Sequence, residues 1–160
     1  MWVSMKIGWF GLVVLLGGFV LWVRLAPSDP GRWHVTQLPA GVDLASGLDA
    51  DIAGEGSFVA LRHQVPETAV ERLIAAIDAT ARTSRLAGTF DPAQGQGMIT
   101  WRTRSLIWGF PDYSTLQIER QIGEPEVYRI TLYGRLRFGR SDMGVNRRRI
   151  ADWLAQAGLE

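Results

Sequence analysis

The N-terminal segment constrains this chain more than any other part. Lys6 and Arg24 flank an uncharged, strongly apolar run from Ile7 to Val23. As a helix this run would be ~26 Å long, at the short end of what the hydrocarbon core of a bilayer requires. Tryptophans favour membrane interfaces, and three lie near the ends of the run: Trp2, Trp9 and Trp22. The pattern predicts one transmembrane helix over 7–23, whose partner is the lipid bilayer.

A cleaved secretory signal peptide is the alternative interpretation of the same run. The run is longer than the apolar region of a usual signal peptide, and no small-x-small cleavage site follows Arg24. The chain has no cysteine, which excludes lipid attachment through a cysteine. Positive charges on both sides of the run nearly cancel the positive-inside bias. We expect an uncleaved signal-anchor in the inner (plasma) membrane of a bacterium, with a periplasmic body, because signal-anchors usually insert in that direction.

The remainder of the chain is long enough for one domain with its own core, but not for two. Residues 26–56 are rich in proline and glycine and show little hydrophobic periodicity, which predicts an extended tether. Within the tether, the Trp33-His34 pair would either pack on the domain or rest at the lipid interface. Residues 57–160 carry the periodic patterns of a single domain, which follows the anchor of residues 1–25 and the tether.

The apolar patterns of residues 57–160 predict an α+β fold. A strand from Ser57 to Val65 precedes a helix that begins at Pro66 and ends at Gly88, and a last helix covers Asn146–Ala157. Between the helices, turn residues separate three strands, at Met98–Trp108, Tyr113–Gln121 and Val127–Phe138. Their short links require antiparallel neighbours. The predicted order is strand, helix, three-strand meander and helix, with the helices covering one face of an antiparallel sheet.

Strict alternation assigns the side chains of the meander to two faces. The core face is predicted to hold Ile99, Trp101, Ile107, Leu116, Ile118, Ile130, Leu132 and Leu136. The opposite face is polar and rich in arginine, and is predicted to hold Arg102, Arg104, Thr115, Gln117, Glu119, Arg129, Thr131, Tyr133, Arg135 and Arg137. This second face is either an anion-binding platform or a solvated surface on which Glu119 pairs with Arg129 or Arg102.

The run from Gly139 to Ile150 joins the last strand to the last helix. Three of its residues favour helix caps and tight turns: Ser141, Asp142 and Asn146. We expect the Asn146 side chain to cap the helix, which would make this run a structural corner. The alternative is an anion site, because a helix start exposes free N–H groups and Arg140 and Arg147 are close in the sequence. The arginine triplet at 147–149 is also typical of a solvated helix face.

Three parts of the chain together resemble an uncharacterised family of bacterial and plastid proteins known only as a domain of unknown function. They are the strand segment Trp101–Ser105, the turn Phe110–Asp112 and the run Gly-Arg-Ser-Asp-x-Gly-Val-Asn at 139–146, of which the last is the most specific. The resemblance covers Ser57 to Leu154. Members similar to this chain also have an N-terminal span followed by Leu-Ala-Pro-Ser-Asp-Pro, as residues 25–30 do here. The resemblance implies no activity and no cofactor.

Signatures of enzymes and of metal sites are weak in this sequence. His34 and His63 are its two histidines, and no cysteine or close carboxylate cluster accompanies them, so neither a metal nor a cofactor is expected. A Ser141-His63-Asp112 triad is conceivable, but it lacks a nucleophile-elbow sequence. The balanced charge and the membrane tether argue against nucleic acid as a partner.

The sequence favours a non-enzymatic, membrane-anchored binding or accessory module. Its expected ligand is an anion, a lipid headgroup or a partner subunit. The candidate residues come from the arginine-rich face and from the corner: Arg102, Arg104, Arg135, Arg137, Arg140, Ser141, Asp142, Asn146 and Arg147. One alternative is an accessory subunit of a larger membrane complex. The other is a small membrane-bound hydrolase or transferase that uses the arginines to hold a phosphate-bearing substrate.

Overall fold

The computed structural model describes residues 2–35, 38, 49–123 and 126–160, with the backbone alone for residues 2–8. The helices in this part of the chain are α1 (Trp2–Leu25), α2 (Pro30–Trp33), α3 (Glu67–Asp78) and α4 (Val145–Ala157). The strands are β1 (Ala50–Gly54), β2 (Ser57–Pro66), β3 (Thr83–Asp91), β4 (Gln96–Arg104), β5 (Pro111–Arg120) and β6 (Val127–Leu136). The fold therefore belongs to the α+β class that the sequence predicts.

One antiparallel sheet contains the strands in the order β1-β2-β6-β5-β4-β3. The predicted meander is confirmed, because β5 pairs in antiparallel fashion with β4 on one side and with β6 on the other. β2 pairs with β6, so two long strands that are distant in the sequence lie side by side. The pairing brings the end of β4, the start of β5 and the end of β6 to one end of the sheet. Several of the candidate arginines collect at this end.

Helices α3 and α4 cover one face of the sheet and form the core with it. The buried residues of α3 recur at helical spacing: Ala69, Val70, Leu73 and Ile77. α4 contributes Ile150, Trp153, Leu154 and Ala157. The meander contributes six of its predicted core residues: Ile99, Trp101, Leu116, Ile118, Ile130 and Leu132. Burial of each large apolar side chain contributes ~1.5–3 kcal/mol, so this face provides the hydrophobic stabilisation of the domain.

Ile107 was predicted to be a core residue, and this prediction is wrong. Strand β4 ends at Arg104, and residues 105–110 form a turn in which Ile107 is exposed. The backbone N–H of Ser105 donates to the carbonyl of Phe110 (2.9 Å). This bond turns the chain back before the alternation of β4 can extend to Ile107.

Leu136 is also outside the helix-covered core, and it contacts a hairpin that was not predicted from the sequence. Residues 50–54, which the sequence assigns to the tether, form β1 and pair with β2. Leu136, at the end of β6, is half-buried, and its side chain lies over Gly56 in the turn of this hairpin. Much of the remaining tether, at 36–37 and 39–48, lies outside the described residues.

A second strand, β3, was not predicted from the sequence. The helix predicted to continue to Gly88 ends at Asp78, and β3 follows as an edge strand of the sheet. All nine residues of β3 are exposed or half-buried, so the strand lacks a clear apolar alternation. Gly88 has a φ of 84°, and a Cβ at this position would overlap the carbonyl oxygen of Met98. This glycine therefore permits a close approach of β3 to β4, and it does not end a helix.

The N-terminal apolar segment is helical, as the sequence predicts, and forms α1. From Trp9 onwards most of its side chains are exposed. Within the described residues, none of the helices is both long and apolar enough to cross a membrane. The span predicted over 7–23 is therefore not confirmed. The side chain of Trp2, expected at a membrane interface, lies outside the described part of the chain.

Candidate functional site

The C-terminal end of α1 packs against the end of the sheet where β5 begins and β6 ends. The rings of Phe19 and Phe110 meet edge to face, with centroids 6.1 Å apart. The ring of Trp22 lies 5.8 Å from that of Phe138, and Val23, the next residue of the helix, is buried. Aromatic pairs at these distances are attractive. The contacts fix the place at which the apolar helix joins the domain.

The segment that follows α1 crosses the arginine-rich face of the sheet. The indole of Trp33 stacks on the ring of Tyr113, with centroids 3.9 Å apart and planes inclined by 13°. The Tyr113 hydroxyl donates to Ser28 Oγ (2.8 Å). His34 Nδ1 lies 2.9 Å from Thr100 Oγ1. The Trp33-His34 pair therefore packs on the domain, and the chain's own segment covers part of this face.

Arg135 is the most deeply buried of the candidate arginines, with 8% of its surface exposed. Its Nη2 donates to the carbonyl of Trp33. Its Cζ lies 4.8 Å from the ring centroid of Tyr133, in cation–π geometry. Burial lowers the pKa of Arg135, because a charged guanidinium is less stable away from water. Nη1 has no hydrogen-bond partner among the described residues, so Arg135 keeps an unused donor group.

Three further candidate arginines lie at the α1 end of this face. Arg137 Nη1 donates to the Pro27 carbonyl (2.8 Å). Arg104 Nη1 donates to the Gly109 carbonyl (2.9 Å). Among the described residues, Arg102 donates only to serine hydroxyls, at 3.2 and 3.5 Å. All three therefore bind neutral oxygen atoms of the surrounding chain.

Arg24, the last charged residue of α1, lies near these three side chains. Its Nη2 donates to the Ile107 carbonyl (3.3 Å). Burial is the main cause that lowers the pKa of Arg104, and repulsion from Arg102, Arg137 and Arg24 lowers it further. We call Arg24, Arg102, Arg104 and Arg137 the arginine cluster. Across the described residues, no carboxylate lies within ion-pair distance of these four side chains.

At the other end of the same face, a carboxylate neutralises the charge of an arginine. Glu119 accepts a hydrogen bond from Arg129 Nη2 of the neighbouring strand, and another from Gln117 Nε2 (2.7 Å). This is the surface pairing that the sequence offered as the alternative to an anion platform. The pair lies near the end of β5 that is remote from α1.

The corner between β6 and α4 is built around Asp142. Its Oδ1 accepts from the backbone N–H of Gly144 (3.0 Å), and its Oδ2 accepts from that of Asn146 (2.7 Å). Gly144 has a left-handed backbone with a φ of 76°, and α4 begins at the next residue. The Asp142 carboxylate thus satisfies N–H groups that a helix start leaves free. The expectation that the Asn146 side chain caps this helix is wrong, because Asn146 is buried and bonds elsewhere.

An ion pair between Arg149 and Asp112 completes the corner, and it was not predicted from the sequence. Arg149 Nη2 lies 3.2 Å from Asp112 Oδ2, and Nη1 donates to Asn146 Oδ1 (3.0 Å). Burial raises the pKa of Asp112, and the Arg149 guanidinium opposes this rise. No local pattern links two residues that are 37 positions apart.

The outer side of the corner forms a cavity of about 430 Å³ with the β1–β2 hairpin. Arg140, Ser141, Asp142 and Arg147 line it together with residues 53–58. Arg140 and Arg147 are exposed, and Arg140 Nη2 lies 3.9 Å from Glu55 Oε2. The structure therefore divides the candidate residues into two groups, the arginine-rich end of the sheet and the corner.

The residues considered for catalysis have other partners. Asp112 pairs with Arg149, whereas His63 Nδ1 lies 3.6 Å from Asp49 Oδ1 just before β1. His34, the other histidine, contacts Thr100. In the part of the chain that the structure describes, no three potential metal ligands come together.

Comparison with known families gives a match over residues 49–156 to a family described as Protein of unknown function (DUF1499). The chain belongs to the DUF1499 family. The predicted membership in an uncharacterised family is thereby confirmed. Comparison with curated proteins and with solved structures found no match.

The DUF1499 match covers the sheet and both core helices, but not α1 or α2. The Arg149–Asp112 pair and the Asp142 cap lie inside it, as do Arg102, Arg104 and Arg137. Arg24 lies outside it. The arginine cluster is therefore assembled from the DUF1499 domain and from the helix that precedes it.

Proposed function

We propose that this DUF1499 protein is a membrane-attached binding module whose arginine cluster holds the phosphate of an anionic phospholipid headgroup. The main observation that supports the proposal is the arginine cluster itself. Four guanidinium groups lie together with no carboxylate within ion-pair distance among the described residues. Their mutual repulsion contributes to the lowered pKa of Arg104. An anion among them would offset this repulsion.

Guanidinium groups suit a phosphate particularly well. Each is planar, always charged, and presents five N–H donors in a fork that matches two phosphate oxygens. Arg137 uses Nη1 for the Pro27 carbonyl and the Tyr113 hydroxyl, and Arg104 uses Nη1 for the Gly109 carbonyl. Among the described residues, the other donors of both side chains have no hydrogen-bond partner and are available to a ligand.

The exposed surface of α1 supports attachment to a membrane. Large apolar side chains are exposed along the helix: Trp9, Phe10, Leu12, Val13, Val14, Leu15, Leu16, Phe19, Leu21, Trp22 and Leu25. Soluble proteins rarely expose a contiguous apolar surface of this kind, and contact with lipid would remove it from water. Arg24 lies at the domain end of this surface. Cations in that position would meet the phosphates of the lipid headgroups.

Binding of short-chain lipids to the full chain in mild detergent tests the proposal. Dioctanoyl-phosphatidylglycerol and dioctanoyl-phosphatidylcholine would be titrated separately, and bound lipid would be counted by native mass spectrometry. We expect phosphatidylglycerol to bind more tightly. Arg102→Gln/Arg137→Gln should weaken that binding by ~10-fold or more, because each charge-assisted hydrogen bond contributes ~1.5–3 kcal/mol.

The matched control is Arg120→Gln/Arg148→Gln, which removes the same charge from exposed positions outside the cluster. Arg120 lies at the end of β5 opposite to the cluster. We expect this control to bind phosphatidylglycerol as the wild type does. Equal affinity for the two lipids, or equal losses in the two double variants, would show that the cluster does not recognise the headgroup.

The geometry supports binding better than it supports a phosphate-transferring enzyme. A cavity of about 530 Å³ does have Glu55, Arg135 and Arg137 in its lining. A general base must be held within hydrogen-bond reach of the reacting group. The Glu55 side chain, however, is 82% exposed, and its nearest cation is the exposed Arg140. Glu55→Gln should therefore leave lipid binding by the protein unchanged.

A further inference from the structure

The turn between β4 and β5 exposes three consecutive large apolar side chains. Leu106 is 71% exposed, Ile107 72% and Trp108 44%. Single exposed apolar residues are common on protein surfaces, but a contiguous group usually marks a contact surface. We call residues 105–110 the apolar turn.

The apolar turn is held in a defined conformation by hydrogen bonds. The N–H of Gly109 donates to the Ser105 carbonyl (3.2 Å), and that of Phe110 donates to Ser105 Oγ (3.0 Å). Gly109 is buried with a φ of 73°, and a Cβ there would collide with the Arg24 side chain. The backbone conformation of the turn therefore keeps the three apolar side chains exposed.

The apolar turn adjoins α1 and the arginine cluster. Arg24 and Arg104 both donate to its carbonyl groups, at Ile107 and Gly109 respectively. Its last residue, Phe110, packs on Phe19 of α1. The exposed side chains of the turn thus continue the apolar surface of α1, with guanidinium groups directly beside both.

We propose that Leu106, Ile107 and Trp108 insert into the interfacial layer of the bilayer leaflet to which α1 is attached. The inference rests on the membrane attachment proposed above and adds a second point of contact. The apolar turn is continuous with the apolar surface of α1, and this identifies lipid as its contact. Apolar side chains flanked by cations match acyl chains flanked by phosphates. Two contact points would set the orientation of the sheet and keep the arginine cluster at the level of the headgroups.

A single fluorescent label tests this insertion in the full chain. The chain has no cysteine, so Ile107→Cys can carry one NBD group on an exposed position. The matched control is Ile122→Cys, because Ile122 is fully exposed between β5 and β6, at the opposite end of the sheet. Both labelled proteins would be reconstituted into vesicles of phosphatidylcholine and phosphatidylglycerol. The emission spectrum and its quenching by doxyl-labelled lipid would then be measured.

We expect the label at residue 107 to shift its emission to shorter wavelengths and to be quenched by doxyl lipid, while the label at 122 keeps the spectrum found in water. A protein that floats with vesicles but leaves both labels in water would overturn the insertion alone. A shifted label that doxyl lipid does not quench would mean that protein covers the turn, which also overturns it. Failure of the chain to float with vesicles would overturn the insertion and the membrane attachment together.

The headgroup site can fail independently of the insertion. If the label at 107 is quenched by doxyl lipid while Arg102→Gln/Arg137→Gln binds phosphatidylglycerol as the wild type does, the turn inserts but the cluster is not the headgroup site. The two proposals are therefore distinguishable with one set of proteins.

Discussion

Arg149 on α4 and Asp112 on β5 form an ion pair that is largely closed to water. Arg149 Nη2 lies 3.2 Å from Asp112 Oδ2, and each side chain is 15% exposed. The pKa of Asp112 is nevertheless raised, because burial outweighs the attraction of the cation. The pair therefore offsets only part of the free-energy cost of burying the carboxylate.

Arg149→Met should lower the free energy of unfolding by ~2 kcal/mol at neutral pH, between the values typical of exposed and buried pairs. Without the cation, the pKa of Asp112 in the folded state rises further above its unfolded value. Between these two pKa values the folded protein binds more protons than the unfolded chain, so stability falls as the pH rises through this window. The loss should therefore be smaller near pH ~4, where the folded carboxyl is protonated.

Urea unfolding of the full chain in detergent at the two pH values measures this effect. Arg149→Met/Asp112→Asn is the matched control, because it removes both charges and should regain much of the stability at neutral pH. A loss of the same size at both pH values would contradict the assigned role of Asp112.

Asp142→Ala should destabilise the domain by ~1 kcal/mol, because it removes the acceptor for the N–H groups at the start of α4. Ser141→Ala should change little, since the Ser141 hydroxyl bonds one exposed backbone N–H, that of Met143. Thermal unfolding of the two variants compares them directly. Equal midpoints for Asp142→Ala and the wild type would mean that water caps this helix equally well.

Arg135→Gln should lower the melting temperature and loosen the segment that covers the outer face. The variant loses the bond to the Trp33 carbonyl and the stacking on Tyr133, and cation–π contacts contribute ~0.5–2 kcal/mol. Arg140→Gln is the control, because Arg140 is exposed and its ion-pair partner, Glu55, lies outside this segment. Hydrogen exchange of residues 27–35 measures the loosening. Unchanged protection in Arg135→Gln would show that Trp33 holds this segment by itself.

Gly88→Ala should destabilise the protein by more than the cost of a left-handed backbone alone, which is ~1–2 kcal/mol. A Cβ at Gly88 would overlap the Met98 carbonyl oxygen, whereas one at Gly139 would meet nothing within 4 Å. Both glycines have positive φ, at 84° and 95°. Gly139→Ala therefore measures the free-energy cost of the positive-φ backbone alone. Equal changes in the urea midpoint would refute the close approach of β3 to β4.

Features that depend on local periodicity could be predicted from the sequence. The helical spacing of Leu73 and Ile77 identified α3, and alternation placed Ile130 and Leu132 in the core. Such patterns arise because one face of a single element is buried. The short links of the meander likewise required the antiparallel pairing of β4, β5 and β6.

Features that depend on contacts between distant segments could not be predicted. β3 is an edge strand whose existence depends on pairing with β4, so its own residues lack an apolar alternation. The arginine cluster includes Arg24, which reaches the other members only because α1 docks beside Phe110. These contacts join separate elements of the fold, so no local sequence pattern reveals them.

Photocrosslinking is the most direct test of headgroup recognition by the arginine cluster. The full chain would be reconstituted with phosphatidylglycerol that carries a diazirine in its headgroup, irradiated, digested and mapped by mass spectrometry. A phosphatidylcholine probe with the same diazirine is the control. Recognition by the cluster predicts crosslinks near Arg24, Arg102, Arg104 and Arg137 that are stronger for phosphatidylglycerol and are lost in Arg102→Gln/Arg137→Gln. Crosslinks confined to the 139–147 corner, or equal labelling by the two lipids, would contradict it.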